Sequence, residues 1–143
     1  MRPIEREDYD CYYTELLSVL TGVEEDQVLT REVFEDLVRN LGNHHQIWVM
    51  ERQGRIIATI TLIVERKLIH GGSSVLHVED MIVHPDYQKQ GLGRKLIQKA
   101  MEVAENEGCY KIILDCSEAN ASFYEACNFQ KKQVQMSWYA GKK

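Results

Sequence analysis

A chain of 143 residues that is 44% hydrophobic has room for one domain, 1–143, with a real core, and its net charge of −5 argues against a nucleic-acid surface. Any polyanion it binds has to be held by local groups rather than by a global field. There is no apolar run long enough to span a bilayer and no signal-peptide layout, and Cys11, Cys109, Cys116 and Cys127 lack CxxC or metal-ligand spacing, so they read as reduced thiols of a metal-free cytoplasmic protein.

Residues 1–4 can form a short first strand. From Asp8 to Leu20, Tyr9, Tyr12, Tyr13, Leu16, Leu17 and Leu20 recur at helical spacing, and Gly22 is the expected stop. Thr30 is a good N-cap for a second helix whose apolar face is Val33, Phe34, Leu37, Val38 and Leu41. Gln46 to Glu51 and Arg55 to Arg66 read as strands joined by a Gln53-Gly54 hairpin turn. A polar loop from Lys67 to Ser74 follows, in which Lys67 and His70 are by default solvated residues. His44 and His45 have no metal partner at useful spacing, and His77 and His84 fall on the next strand, where packing is the ordinary role of a histidine.

That strand, Val75 to His84, ends at Pro85, which offers no ladder donor. Its alternation breaks at Glu79-Asp80, two adjacent acids in an apolar run. One of them has to face a core or a cleft; a β-bulge would re-aim a side chain, while an edge strand would leave one acid in solvent. Then comes Gln88-Lys89-Gln90-Gly91-Leu92-Gly93-Arg94, and Leu92, Leu96, Ile97, Ala100, Val103 and Ala104 mark a helix that Gly108 closes. Glycines at a strand-to-helix junction let backbone amides converge, and the helix end adds its dipole, which together suit a phosphate. A tight turn packed for its geometry would also explain the glycines. There is no Gly-Lys-Ser/Thr and no third glycine, so neither a P-loop nor a dinucleotide fingerprint is present.

Tyr110 to Cys116 is an apolar strand of the kind covered on both faces, with Asp115 near its end, where acids of α/β sheets line ligand crevices. Glu118 to Cys127 is a short helix with Asn120 as cap and Asn128 as left-handed stop, and Gln130 to Trp138 alternates weakly as a last strand. The order strand, two helices, three strands, helix, strand, helix, strand makes an α/β (α+β) protein with a mixed, mostly antiparallel sheet.

That order, QKQGLG after a strand and NASFYEACNF in the last helix resemble the GNAT acetyltransferase superfamily. HVEDMIVHPDYQKQGLGRKLI, GCYKIILDCSEANASFYEACNF, ERKLIHGG and LTGV narrow the resemblance to the glucosamine-6-phosphate N-acetyltransferases, over nearly the whole chain. The resemblance implies a GNAT fold and acetyl transfer from acetyl-CoA to the 2-amine of glucosamine 6-phosphate, a step toward UDP-N-acetylglucosamine. It implies that Lys89, Gln90, Gly91, Leu92, Gly93 and Arg94 hold the CoA pyrophosphate, that Met81, Ile82 and Val83 pair with the pantetheine arm, and that Asn120, Ala121 and Ser122 complete the CoA site. Thr21, Lys67 to His70, Glu79, Asp80, Met81, Tyr110, Lys111 and Asp115 would line the sugar phosphate site, and the protein would be a homodimer whose last strand reaches toward its partner. One departure stands out. Relatives commonly end with a basic residue that grips the sugar phosphate, where this chain has Met136-Ser137-Trp138-Tyr139 and lysines only at 142 and 143. Either lysine takes over, or Lys67, His70 and Lys111 suffice, or the substrate differs.

The chemistry of the transfer asks for the same residue types. The amine has to be deprotonated, which Asp115 or Glu79 can arrange. The tetrahedral oxyanion needs a fixed N–H donor, which an irregular strand at Glu79 to Val83 can supply. The leaving thiolate needs a proton, for which Tyr124 is the candidate, with Phe123 assigned to the core. Two other classes compete: a GNAT enzyme for peptides or polyamines, and a non-catalytic acyl-CoA-binding module.

Overall fold

The computed structural model describes residues 1–11, 13–21 and 29–141. Five strands, β1 (Arg2–Pro3), β2 (His45–Arg52), β3 (Arg55–Arg66), β4 (Ser74–Val83) and β5 (Cys109–Ile113), form one sheet in that order. β1 through β4 pair antiparallel, whereas β4 and β5 are parallel because a helix joins them. The helices are α1 (Tyr13–Thr21), α2 (Arg31–Arg39), α3 (Leu92–Asn106) and α4 (Glu118–Glu125). The chain forms two compact units, one from Met1 to Ile113 that contains the whole sheet and one from Leu114 onward that contains α4.

In the first unit, Tyr13 and Leu16 of α1 and Phe34 of α2 pack with Ile47, Val49, Ile56 and Ile82 on one face of the sheet. Trp48 lies between Ile47 and Val49 and so points to the opposite face. There Lys99 of α3 sits 4.4 Å from its ring centroid, which places α3 on that second face. All six apolar positions predicted for α3 are buried. The predicted hairpin forms with Gln53 at φ 52° and Gly54 at φ 74°, the doubly left-handed turn that matches strand twist. Thr30 caps α2, its hydroxyl accepting from the Val33 amide at 3.4 Å.

Several expectations are corrected. The first helix does not run from Asp8: residues Arg6–Asp10 form a 3₁₀ turn, and α1 is described only from Tyr13. The cause is Asp8, only 1% exposed. Its carboxylate accepts the Glu5 amide at 2.8 Å and both terminal nitrogens of Arg2 at 2.9 and 2.7 Å, while Arg2 also reaches Glu51 at 2.7 Å. A side chain that satisfies its own local backbone competes with helix there. Tyr12 and the expected stop Gly22 lie outside the described residues. On α2, only Phe34 is buried, and Val33 and Leu37 are 54% and 45% exposed, because this helix packs mainly on the Arg6–Asp10 turn rather than across the sheet.

Further along, β5 stops at Ile113, and Tyr110, Lys111 and Ile113 are exposed. With those side chains exposed, the strand is not covered on both faces as its composition suggested, and among the described residues it stands at the edge of the sheet beside β4. In the second unit the N-cap position of α4 is Ser117, whose side chain makes no capping hydrogen bond, and Asn120 lies inside the helix, with its amide bonded to the Ser117 carbonyl at 3.0 Å. Asn128 does adopt the left-handed conformation, at φ 69°. The last predicted strand is absent: residues 130–138 form no ladder and are exposed.

Candidate active site

The alternation break at Glu79-Asp80 marks a real irregularity. Thr59 of β3 faces Ile82 and Thr61 faces Glu79, so β4 spends three residues where β3 spends two. The surplus is a β-bulge with Asp80 at φ 45°, a left-handed conformation uncommon for any residue other than glycine. β4 lies between β3 and β5, which rules out the edge-strand reading. Glu79 is half-buried and Asp80 exposed, so the two acids are separated as expected. Such a bulge takes main-chain groups out of the ladder and aims them elsewhere.

Under the bulge is a polar contact that the sequence did not announce. Thr59 is fully buried and its hydroxyl donates to the Trp48 carbonyl at 3.1 Å, so the Tyr13 phenol, 3.4 Å away, is the donor to Thr59. Burial raises the Tyr13 pKa above its ordinary value.

Past β4, a short 3₁₀ turn (Pro85–Tyr87) leads into the glycine loop. Lys89 is left-handed at φ 60° and Gly91 at φ 79°, and Gly91 caps α3. Nothing lies within 4 Å of where a Gly91 Cβ would stand, so the glycine is there for its backbone angle and not for lack of room. The first-turn amides of a 15-residue helix have no acceptor within the helix, and its dipole favours an anion in front of them. Lys89 and Arg94 flank the loop, and the structure adds a cation from elsewhere: Arg52, beside the β2–β3 hairpin, donates to Gln90 at 3.4 Å and stacks 5.4 Å from the Tyr87 ring centroid. Gln88 donates to the Val83 carbonyl at 3.1 Å, tying the loop to the end of β4.

At the other end of β4 some of the expected substrate residues come together, whereas Glu79 and Asp80 lie at the bulge and Asp115 belongs to the second unit. The His70 ring packs on Tyr110 with centroids 4.3 Å apart, and Lys111 lies 5.6 Å from the same ring. Lys67 is held at 2.7 Å by Glu65, whose other oxygen is 2.7 Å from His77 Nε2. Lys67 first, and His77 second, hold the Glu65 carboxyl below its usual range, while Glu65 holds Lys67 above its own. Thr21 is the last described residue of α1, and the placement of its side chain, like that of Lys142 and Lys143, lies outside the described residues. A cavity of about 250 Å³ bounded by Val38, Leu41, Ile47 and Trp48 contains none of these residues.

In the second unit, Asp115 is exposed, Asn120 and Ser122 are exposed on α4, and Ala121 is buried between them. Tyr124 is half-buried, edge-on to Phe123 at 5.0 Å and to Phe129 at 6.0 Å. Burial, and then Cys116, Cys127 and Asp115, push its phenol above the ordinary tyrosine value, so it stays a proton donor at neutral pH. Among the described residues no group of His, Cys, Asp and Glu could hold a metal ion, and no helix is long and apolar enough to cross a membrane.

Comparison with known proteins identifies the family. The Acetyltransferase (GNAT) family profile matches residues 4–129. Glucosamine 6-phosphate N-acetyltransferase 1 of Dictyostelium discoideum is 37% identical over 139 residues, covering 96% of this chain and 88% of that protein. The Candida albicans glucosamine 6-phosphate N-acetyltransferase is 37% identical over 139 residues, covering 94% of this chain and 91% of its own length. The crystal structure of glucosamine-6-phosphate N-acetyltransferase from Arabidopsis thaliana superposes with a TM-score of 0.89 at 35% identity, covering 97% of this chain and 96% of that one. With its family profile matched over most of its length and its sheet superposing on that structure, the chain belongs to the GNAT acetyltransferase family.

Proposed function

We propose that this acetyltransferase transfers the acetyl group of acetyl-CoA to the 2-amine of glucosamine 6-phosphate. The observation that carries the substrate is the cluster of Lys67, His70 and Lys111 around Tyr110, beside the start of β4, the strand that the Asp80 bulge interrupts farther along. A polyamine would want acids where Lys67 and Lys111 stand, and the names of the relatives favour the sugar phosphate.

Lys89 to Arg94 receive the CoA pyrophosphate on main-chain amides, with Lys89 and Arg94 supplying charge. Met81 to Val83 pair with the pantetheine arm, and an amide freed by the bulge faces the thioester oxygen as it becomes an oxyanion. Asp115 or Glu79 accepts the amine proton, and Tyr124 protonates the departing thiolate. Asn120, Ala121 and Ser122 belong to the CoA side; Thr21, Glu79, Asp80, Tyr110 and Asp115 belong to the sugar side. The whole chain acts as one acetyltransferase domain. Four free cysteines suit a reducing cytoplasm. The exposed Val134, Met136 and Trp138, on alternate residues, suit strand addition to a second copy in a homodimer.

The test is thiol release from acetyl-CoA with glucosamine 6-phosphate, glucosamine, spermidine or a peptide mixture. Release with the sugar phosphate is expected; release only with the unphosphorylated amines would discard this substrate, and binding without release would favour a non-catalytic module. Tyr124→Phe is expected to lower kcat about a hundredfold with an unchanged KM for acetyl-CoA. Because the phenol titrates above the usual tyrosine value near 10, its loss should not limit the rate below that pH. An unchanged kcat would remove Tyr124 from the mechanism.

A further inference from the structure

Glu65 is a carboxylate inside a proposed anion site. It sits on β3 opposite Val75, within the cluster proposed above to meet the substrate phosphate. A carboxylate only accepts, so the 2.7 Å contact fixes the proton of His77 on Nε2, donating to Glu65. The other carboxylate oxygen holds the Lys67 ammonium, also at 2.7 Å. Lys67 and Glu65 lie two residues apart on β3 and its extension, and His77 lies across the ladder opposite Ile63. Three strand-borne groups are thus locked on one face, each only part exposed.

We infer that Glu65, braced by His77, is a positioning residue for substrate: it holds the Lys67 ammonium in the place where it meets the sugar phosphate. A lysine has three donors, so one contact with Glu65 leaves two for an incoming phosphate. A free lysine stem loses rotamer freedom when it closes on an anion, whereas one already clamped has lost it beforehand. That gain has to exceed the repulsion between the carboxylate and the phosphate, which the ammonium between them and the His77 donor both reduce. The inference rests on the reading of Lys67 as a phosphate contact.

Steady-state kinetics of the full chain test it, with thermal melting as a check on folding. Lys67→Ala is expected to raise the KM for glucosamine 6-phosphate about tenfold or more. Glu65→Ala should raise it about fivefold, with kcat and the KM for acetyl-CoA within about twofold of the starting protein. Glu65→Gln, which keeps an oxygen for Lys67, should recover part of that loss. The double variant should match Lys67→Ala alone, because Glu65 acts only through the lysine. If Lys67→Ala leaves the KM unchanged, the phosphate contact fails and the positioning role falls with it. If Lys67→Ala raises the KM but Glu65→Ala leaves it unchanged or lowers it, or if the two effects multiply, the positioning role alone is overturned.

Discussion

Two stretches carry apolar residues at regular spacing, and they meet opposite ends. Along β4 and α3 the pattern is honoured: Val75, Leu76, Val78 and Ile82 are buried, and so are the six residues of the α3 stripe. In residues 130–138 the alternating Val134, Met136 and Trp138 are 84%, 88% and 86% exposed and no strand forms. Periodicity states which side chains share a face. Whether that face is covered depends on a partner, and a strand exists only where a neighbouring edge accepts its hydrogen bonds. α3 makes its bonds internally and finds the sheet beneath it; the later segment forms no ladder.

The largest effect that would break this contrast is in α3. Leu96 is fully buried, and Leu96→Ala should cost about 3 kcal/mol, a fall in Tm of about 8 °C by thermal denaturation. A Tm within a degree or two of the starting protein would mean that the stripe does not hold the helix down, and the two stretches would no longer differ in kind.

At the head of the same helix the expected effect is smaller and functional. Gly91→Ala meets no atom, so its penalty is the left-handed backbone alone, about 1 kcal/mol. The Tm should fall by about 2–4 °C, while the KM for acetyl-CoA rises about fivefold as the loop shifts off its angle. If instead the KM for the amino sugar rises and that for acetyl-CoA does not, the loop is not the CoA end of the site.

Legibility followed the same divide. The strand–loop–helix unit could be read because its signals are local: helical spacing from Leu92 to Ala104, a proline after the strand, and two acids that interrupt an alternation. The bulge at Asp80 was legible for that last reason. Contacts between elements left no such trace. The Asp8–Arg2 pair that turns the start of the first helix into a 3₁₀ turn joins residues whose spacing is unremarkable, and Asp8 sits where the apolar pattern begins. Arg52 reaches Gln90 across 38 positions, and Glu65 reaches His77 across 12, so a linear reading gives Arg52 and Glu65 no role and His77 only that of a packed residue. The cap of α4 was misassigned because Ser117 and Asn120 are both good cap residues three apart, and only the chain's path into the helix distinguishes them.

The smallest expected effect bears on the exposed stretch itself. Trp138 buries almost nothing in one chain, so Trp138→Ser should change the stability of dilute protein by less than about 0.5 kcal/mol, hardly visible in a melt. If a second copy supplies the missing partner, the same substitution removes a large aromatic from that contact, and aromatic anchors carry a disproportionate share of interface energy. Sedimentation at rising concentration should then show the dimer displaced toward higher protein levels, with the melt of the dilute chain unmoved. A fall in dilute Tm comparable to that of Leu96→Ala would instead show Trp138 buried within its own chain, and the difference between the two stretches would disappear. A melt and a sedimentation profile both unchanged would leave the tryptophan without a partner in either state, and the homodimer reading of this segment would be lost.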